Sequence, residues 1–228
     1  MIRKIAAAAL VLATMTTPAV NAQTARTPAV TKVDDGYLLG NPKAPISIVI
    51  VSSFTCPHCG DLEEAAMPEL KRDWVSTGKA SVRFVPYVMF PTDLPAVIAG
   101  DCGQTSGFFR RSSSLFANQS RMASGWAAVP AAEKDRLQKA GKAEQTAGLM
   151  KASGIPTRTA ALGITSGELG KCMTDTRMRD VIRTRQALAD KRYAPQGTPT
   201  VYVNGKPTGT GASWPRLQQV LMQTAGRR

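Results

Sequence analysis

Two cysteines separated by two residues are the part of this sequence best suited to chemistry. Cys56 and Cys59 enclose Pro57 and His58, and the apolar run 46–51 comes shortly before them. This spacing lets two thiols form and release a disulfide, so the motif predicts thiol–disulfide exchange. We expect Cys56 to cap a helix with Pro57 at its first position, its sulfur accepting hydrogen bonds from the N–H groups of His58 and Cys59. Those bonds, the helix dipole and a protonated His58 would stabilise the thiolate, which makes Pro57 and His58 candidate redox-tuning residues.

The same cysteines have two competing interpretations, an inert structural disulfide and half of a zinc site. Zinc needs four ligands, but Cys102 and Cys172 lie far apart and His58 is the single histidine of the chain. A c-type haem attachment needs a histidine directly after the second cysteine, where this chain has Gly60. The redox interpretation is therefore favoured, without a metal or any other cofactor.

The composition excludes several other kinds of protein. The 228 residues are 43% hydrophobic and 20% charged, which provides a core and leaves too few charges for a disordered tail protein. The formal charge is +13, and most of the excess lies in residues 131–228. No aromatic side chains alternate with these basic residues, so we expect a solvated helix face and no nucleic-acid partner. That face would carry Arg177, Arg179, Arg183 and Arg185.

The N-terminus predicts an exported protein. Arg3 and Lys4 precede the apolar run 5–13, and small residues follow up to Ala22. This is the pattern of a secretory signal peptide over residues 1–22, and the apolar run is too short to span a bilayer. We expect cleavage near Ala22 and, in a Gram-negative source, a periplasmic protein.

Export bears on the two remaining cysteines. An oxidising compartment and an even cysteine count favour a structural disulfide between Cys102 and Cys172. The alternatives are two free buried thiols and a regulatory redox pair.

Periodicity places the cysteine motif between a strand and a helix. Residues 23–45 are rich in Thr, Pro and Gly and are expected to form a loose N-terminal lead-in. The run 46–51 is typical of a strand buried on both faces, and residues 81–88 form a second strand candidate. A helix is expected just after Cys56, kinked or interrupted at Pro68. Its apolar residues recur every four positions at Leu62, Ala66, Leu70 and Trp74.

The rest of the chain divides into a helical segment and a second β segment. Residues 94–193 show helical stretches and no strand pattern, and the last helix is expected to bury Met178, Val181, Ile182, Leu188 and Ala189 on one face. Residues 200–203 then form a strand candidate, and the turn 204–205 predicts an antiparallel return over 206–208. Ser213 is expected to cap a final helix.

Two motifs in this order resemble the DsbA-like thiol:disulfide oxidoreductases. They are Phe54-Thr55-Cys56-Pro57-His58-Cys59 and Gly197-Thr198-Pro199-Thr200-Val201-Tyr202-Val203-Asn204-Gly205, with the helical segment between them. The resemblance implies an α/β thioredoxin fold, formed by residues 46–93 and 194–228, with a helical subdomain inserted over 94–193. It also implies a strongly lowered thiol pKa, a cis bond between Thr198 and Pro199, and a substrate-binding role for Thr198 through its backbone. Some members of this family have a second, non-catalytic disulfide.

Two residues depart from the family pattern. Related oxidoreductases often have a buried acid six residues before the first cysteine, where this chain has Ile50. Thr198 stands where the oxidase prototype has Val, and Thr is commoner in reducing and isomerising relatives. These departures keep a reductase or isomerase as the alternative to an oxidase.

The sequence thus predicts a monomeric, exported protein disulfide oxidoreductase that acts as a dithiol oxidase on reduced or unfolded exported proteins. A substrate thiolate would attack the sulfur of Cys56 to form a mixed disulfide, and Cys59 would resolve unproductive mixed disulfides. The resemblance implies re-oxidation by a DsbB-type membrane oxidase. The alternatives are a periplasmic isomerase or reductase and, more remotely, a metal-binding or chaperone module.

Overall fold

A six-stranded sheet lies at the centre of the protein. The computed structural model describes residues 28–209 and 212–227, so the signal peptide predicted for residues 1–22 lies outside the described residues. The strands lie in the order β1-β2-β4-β3-β5-β6. Their bounds are β1 (Val30–Val33), β2 (Gly36–Leu39), β3 (Ile46–Ser52), β4 (Ala80–Pro86), β5 (Thr200–Val203) and β6 (Lys206–Pro207).

Strand β3 is the middle of the sheet, as its nearly continuous apolar sequence predicts. It pairs in parallel with β4 and antiparallel with β5. Ile48 and Ile50 pack into the large core on one face, while Val49 and Val51 pack into a smaller cluster on the other. Burial on both faces explains why this strand shows no polar–apolar alternation.

The predicted loose lead-in over residues 23–45 is wrong for residues 30–39. Strands β1 and β2 form an antiparallel hairpin there, and β2 extends the sheet beside β4. Gly36 permits this pairing, because a Cβ at that position would lie 2.1 Å from the carbonyl oxygen of Phe84. The buried Asp35 then fixes the hairpin turn by accepting hydrogen bonds from Arg83, Arg192 and Tyr193.

Helix α1 (Pro57–Glu69) follows the first cysteine, as predicted. The apolar residues that recur every four positions, from Leu62 to Trp74, are buried as expected. Pro68 does not end the helix at once. The helix runs to Glu69 and then widens into a π-helical turn over Leu70–Val75, where the hydrogen-bonding pattern changes just beyond the proline.

Helices fill the chain between β4 and β5. They are α2 (Asp93–Asp101), α3 (Phe108–Ala117), α4 (Gln119–Ala127), α5 (Ala131–Lys139), α6 (Lys142–Ala152), α7 (Thr159–Leu162), α8 (Ser166–Thr174) and α9 (Thr176–Tyr193). Helix α10 (Trp214–Gly226) follows β6. An aromatic cluster joins them to the sheet, with Phe84 of β4 packed between Phe54 and Phe108. Within the described residues, no helix is both long and apolar enough to cross a membrane. The division into two domains stays a prediction.

The buried face of α9 differs from the predicted one. Ile182 and Ala189 are buried as expected, but Val181 is 44% exposed and Arg185 is 2% exposed. The prediction that Arg185 belongs to a solvated basic face is therefore wrong. Arg185 forms a buried ion pair with Asp101 at the end of α2, and this partner was invisible to periodicity because it lies 84 residues away.

A disulfide joins the second pair of cysteines. Cys102 directly follows α2, Cys172 lies in α8, and their Cα atoms are 5.9 Å apart. Cys102 is buried and Cys172 packs against the same core. The bridge therefore ties two helices of the long segment to one another.

We predict that replacing both Cys102 and Cys172 by Ala lowers the free energy of unfolding, by about 4 kcal/mol in the chain-entropy treatment of a loop of this length. The two cysteines are 70 residues apart, so the bridge removes much freedom from the unfolded chain. Urea unfolding of the double variant, compared with the oxidised parent, measures the difference. An unchanged transition midpoint and slope would contradict a structural role.

Candidate active site

The first cysteine lies where strand β3 gives way to helix α1. The chain leaves β3 at Ser52, passes through a buried loop and begins α1 at Pro57. Cys56 occupies the capping position in extended conformation and is half-buried. A thiol at this point is partly exposed, and its backbone is held between a strand and a helix.

Strand pairing brings the second motif to the same place. In the antiparallel pair of β3 and β5, Val51 lies opposite Thr200. The two residues before β5 therefore lie beside the loop that carries Cys56. The peptide bond between Thr198 and Pro199 is cis, and the Cys56 thiol donates a hydrogen bond to the Thr198 carbonyl at 3.1 Å.

The expected capping of α1 by the Cys56 sulfur is not what the thiol form shows. Its side chain makes no capping hydrogen bond, and the backbone N–H groups of Cys59 and Gly60 donate to the Cys56 carbonyl at 3.0 and 3.2 Å. A protonated thiol is a donor as well as a weak acceptor, so it turns to the free carbonyl of Thr198. The position of the sulfur at the helix start is as predicted, but its partner is different.

The second cysteine is in a different environment from the first. Cys59 is 1% exposed, and burial raises the pKa of its thiol to about 12. Hydrogen bonds involving Ser52, Thr198 and the backbone of Ser53 act in the opposite direction but are weaker, and the neighbouring Cys56 adds to the rise. Cys59 is therefore a protected thiol that stays protonated at neutral pH.

The two residues between the cysteines face outwards. Pro57 and His58 are both exposed. The His58 side chain borders an open groove of about 330 Å³ that runs beside Thr198 and Pro199. Helices α1 and α10 form its other walls, with Asp61, Leu62, Ala65, Ala212, Ser213, Trp214 and Pro215. An extended chain lying in this groove would pass directly by the motif.

Two polar side chains that sequence reasoning missed hold the loop around Cys56. Gln119, from α4, donates through its amide nitrogen to the carbonyls of Phe54 and Cys56 at 2.9 and 2.8 Å. Asp93, at the start of α2, accepts from the backbone N–H of Thr55 at 2.9 Å. Thr55 lies 38 residues before Asp93, and Phe54 lies 65 residues before Gln119. No local sequence pattern therefore identifies either polar side chain as part of the site.

The position expected for a buried acid is apolar. Ile50 is buried in β3, and it offers no group that could move a proton to or from Cys59. A buried acid does lie further along α1, since Glu63 accepts a hydrogen bond from Ser113 and burial raises its pKa. Among the described residues, no three His, Cys, Asp or Glu side chains are grouped so that they could hold a metal ion.

We predict that alkylation separates the two thiols of the reduced protein. Because its pKa is about 12, only ~1 in 10,000 Cys59 side chains is a thiolate at pH 8, and its burial blocks the reagent as well. Iodoacetamide followed by mass spectrometry of the peptides should therefore find the label on Cys56. Equal labelling of Cys59 in the folded protein would show that its environment is not the one described.

Curated relatives carry the same name throughout. A Rickettsia conorii protein, provisionally named a protein-disulfide oxidoreductase, is 28% identical over 182 residues, covering 78% of this chain and 57% of its own length. A Rickettsia bellii protein with the same name is 26% identical over 200 residues, covering 84% and 68% of the two chains. The chain thus spans a little over half the length of the first of these relatives.

Solved structures share the fold. The crystal structure of a protein-disulfide isomerase from Novosphingobium aromaticivorans matches with a TM-score of 0.76 at 25% identity, over 82% of this chain and 96% of that one. Wolbachia pipientis α-DsbA1 matches with a TM-score of 0.65 at 19% identity, over 83% and 90%. The sequence profile described as thioredoxin matches residues 32–223. With its sheet and the helices between β4 and β5, the chain belongs to the thioredoxin family and is DsbA-like in fold.

Proposed function

We propose that the protein is an exported protein disulfide oxidoreductase that works as a dithiol oxidase. The observation that carries this proposal is the unequal placement of the two thiols, with Cys56 half-buried at the start of α1 and Cys59 enclosed. Partial exposure lets an incoming sulfur reach Cys56, while Cys59 lies three residues further along and is enclosed. The names of the curated relatives support the broader activity, protein-disulfide oxidoreduction.

The reaction begins from the Cys56–Cys59 disulfide. A substrate thiolate attacks the Cys56 sulfur, the bond between the two cysteines breaks, and Cys59 leaves as a thiolate that takes up a proton. A second substrate thiolate then attacks the substrate sulfur of the mixed disulfide and releases Cys56. The substrate loses two electrons and two protons to form its disulfide, and the protein gains them as two thiols.

The burial of Cys59 affects how readily this residue leaves in the first step. A thiol with a pKa of about 12 is a poor leaving group as a free thiolate, so its departure is coupled to protonation. Ile50 cannot supply that proton, so water or another polar group must. Cys59 also resolves unproductive mixed disulfides by attacking Cys56, and its enclosure keeps foreign thiols away from it.

The substrate is a reduced or unfolded exported protein. The groove beside Thr198 and Pro199 supports binding of an extended segment, with the backbone of Thr198 as its partner and His58 at the rim as a tuning residue. The signal-peptide pattern of residues 1–22 supports export to the periplasm. A DsbB-type membrane oxidase would restore the disulfide, and the protein would work as a monomer.

A second candidate activity is isomerisation or reduction of disulfides. Thr198 before the cis-proline favours it, and so does the structural similarity to the protein-disulfide isomerase from Novosphingobium aromaticivorans. The two activities differ in the starting substrate, because an isomerase repairs wrong disulfides and an oxidase needs free thiols.

We predict that the oxidised protein restores activity faster to a test enzyme whose native disulfides have been fully reduced than to the same enzyme with scrambled disulfides. Cys56→Ser should abolish this oxidation, because no disulfide can form without Cys56. Cys59→Ser should also abolish it, yet retain a thiol at position 56 that forms a lasting mixed disulfide with a disulfide-activated substrate, visible on a non-reducing gel. The Cys102→Ala, Cys172→Ala protein is the matched control that keeps the motif intact.

Faster recovery of the scrambled enzyme would favour the isomerase. Oxidation that persists in Cys56→Ser would overturn the site itself.

A further inference from the structure

Asp93 is a fully buried carboxylate that the exchange mechanism leaves without a role. It is 0% exposed and accepts five hydrogen bonds. Its Oδ1 accepts from the Ser53 hydroxyl at 2.8 Å, and from the backbone N–H and the hydroxyl of Thr55 at 2.9 and 2.8 Å. Its Oδ2 accepts from the backbone N–H groups of Met89 and Phe90, both at 3.0 Å. Each oxygen therefore serves a different segment of the chain.

These bonds do not serve to cap the helix on which Asp93 lies. Asp93 is the first residue of α2, but all five donors belong to segments that precede this helix. A residue that only started α2 would accept from N–H groups within its first turn. The carboxylate instead joins two loops that are more than 30 residues apart along the chain.

Both of those loops border the cysteine motif. Ser53 and Thr55 belong to the loop that leads into Cys56, and the Cys56 N–H itself donates to the Ser53 carbonyl. The other loop contacts the cis-proline turn, where the Thr198 hydroxyl donates to the Met89 sulfur at 2.9 Å. Asp93 thus connects the segment that carries Cys56 with the segment that contacts the cis-proline turn.

The second loop also presents unusual apolar surface. Met89 and Phe90 are 40% and 52% exposed, two of the few large apolar side chains exposed in the described part of the chain. Phe90 and Thr55 line a pocket of about 220 Å³ together with Trp126 and Leu149. An apolar side chain next to a reacting cysteine would find a complementary surface here.

We propose that Asp93 is a positioning residue that sets the geometry between Cys56 and the apolar loop at Met89 and Phe90, and so favours polypeptide dithiols over small ones. A carboxylate suits this task because both of its oxygens accept, whereas an amide would turn a donor towards one of the two loops. The inference rests on the proposed oxidase function, because it concerns how a protein substrate meets the same disulfide.

Asp93→Asn is the direct test, measured with two reductants of the oxidised protein. A peptide with two cysteines and a neighbouring Phe uses the apolar loop, whereas dithiothreitol needs Cys56 alone. Because small displacements of a reacting group are costly, we expect the rate constant for the peptide to fall about tenfold and that for dithiothreitol to fall much less. Asp101→Asn is the matched control, since Asp101 is another buried acid of α2 that pairs with Arg185 away from the motif.

Thr55→Val and Thr55→Ser keep the test decisive if Asp93→Asn does not fold. Valine removes one hydroxyl donor from Asp93 with little change of shape, and serine restores that donor. We expect the valine variant to oxidise the peptide several times more slowly, and the serine variant to recover most of the rate. Phe90→Ala tests the apolar loop by itself and should lower the peptide rate more than the dithiothreitol rate.

The results separate this inference from the proposed function. If the unmodified protein oxidises neither peptide nor dithiothreitol, the oxidase function fails. If it oxidises both, but Asp93→Asn lowers the two rates equally or resembles Asp101→Asn, Asp93 is merely structural. Equal peptide rates for Thr55→Val and Thr55→Ser would lead to the same conclusion.

Discussion

The pairing register of β3 with β5 is the constraint on which the site depends. Opposition of Val51 and Thr200 sets the end of one strand beside the start of the other, so Cys56 and Thr198 meet although 142 residues separate them. A shift by one residue would turn the side chains of β5 to the other face and remove the Thr198 carbonyl from the sulfur. The sheet resists such a shift because β3 is buried on both faces.

The same junction makes the two cysteines chemically unequal. Cys56 is half-buried at the N-terminal cap of α1, whereas Cys59 lies three residues further on, against the core. Three residues along the chain thus separate a half-buried thiol from an enclosed one. The polar side chains of Gln119 and Asp93 then hold the surrounding loop, so the helical segment takes part in shaping the site.

Local pattern was sufficient to predict much of this arrangement. The buried strand β3, the stripe of α1, the turn after β5 and the position of Cys56 all follow from residues close together in sequence. The β1–β2 hairpin was missed because its strands are short and their pairing depends on contact between Gly36 and Phe84. Arg185, Asp93 and Gln119 were missed or misplaced because their partners come from distant segments, and the donor role of the Cys56 thiol depends on the free carbonyl of Thr198.

The redox equilibrium of the Cys56–Cys59 pair with glutathione tests the central claim most directly. Reduced and oxidised protein would be trapped with an alkylating reagent across a series of glutathione buffers, using the Cys102→Ala, Cys172→Ala protein so that only this pair responds. A dithiol oxidase requires a potential well above the glutathione poise, which extraction methods place at about −220 to −260 mV. A potential near that of thioredoxin, about −270 mV, would contradict the account, because such a pair tends to donate electrons rather than to accept them from exported proteins.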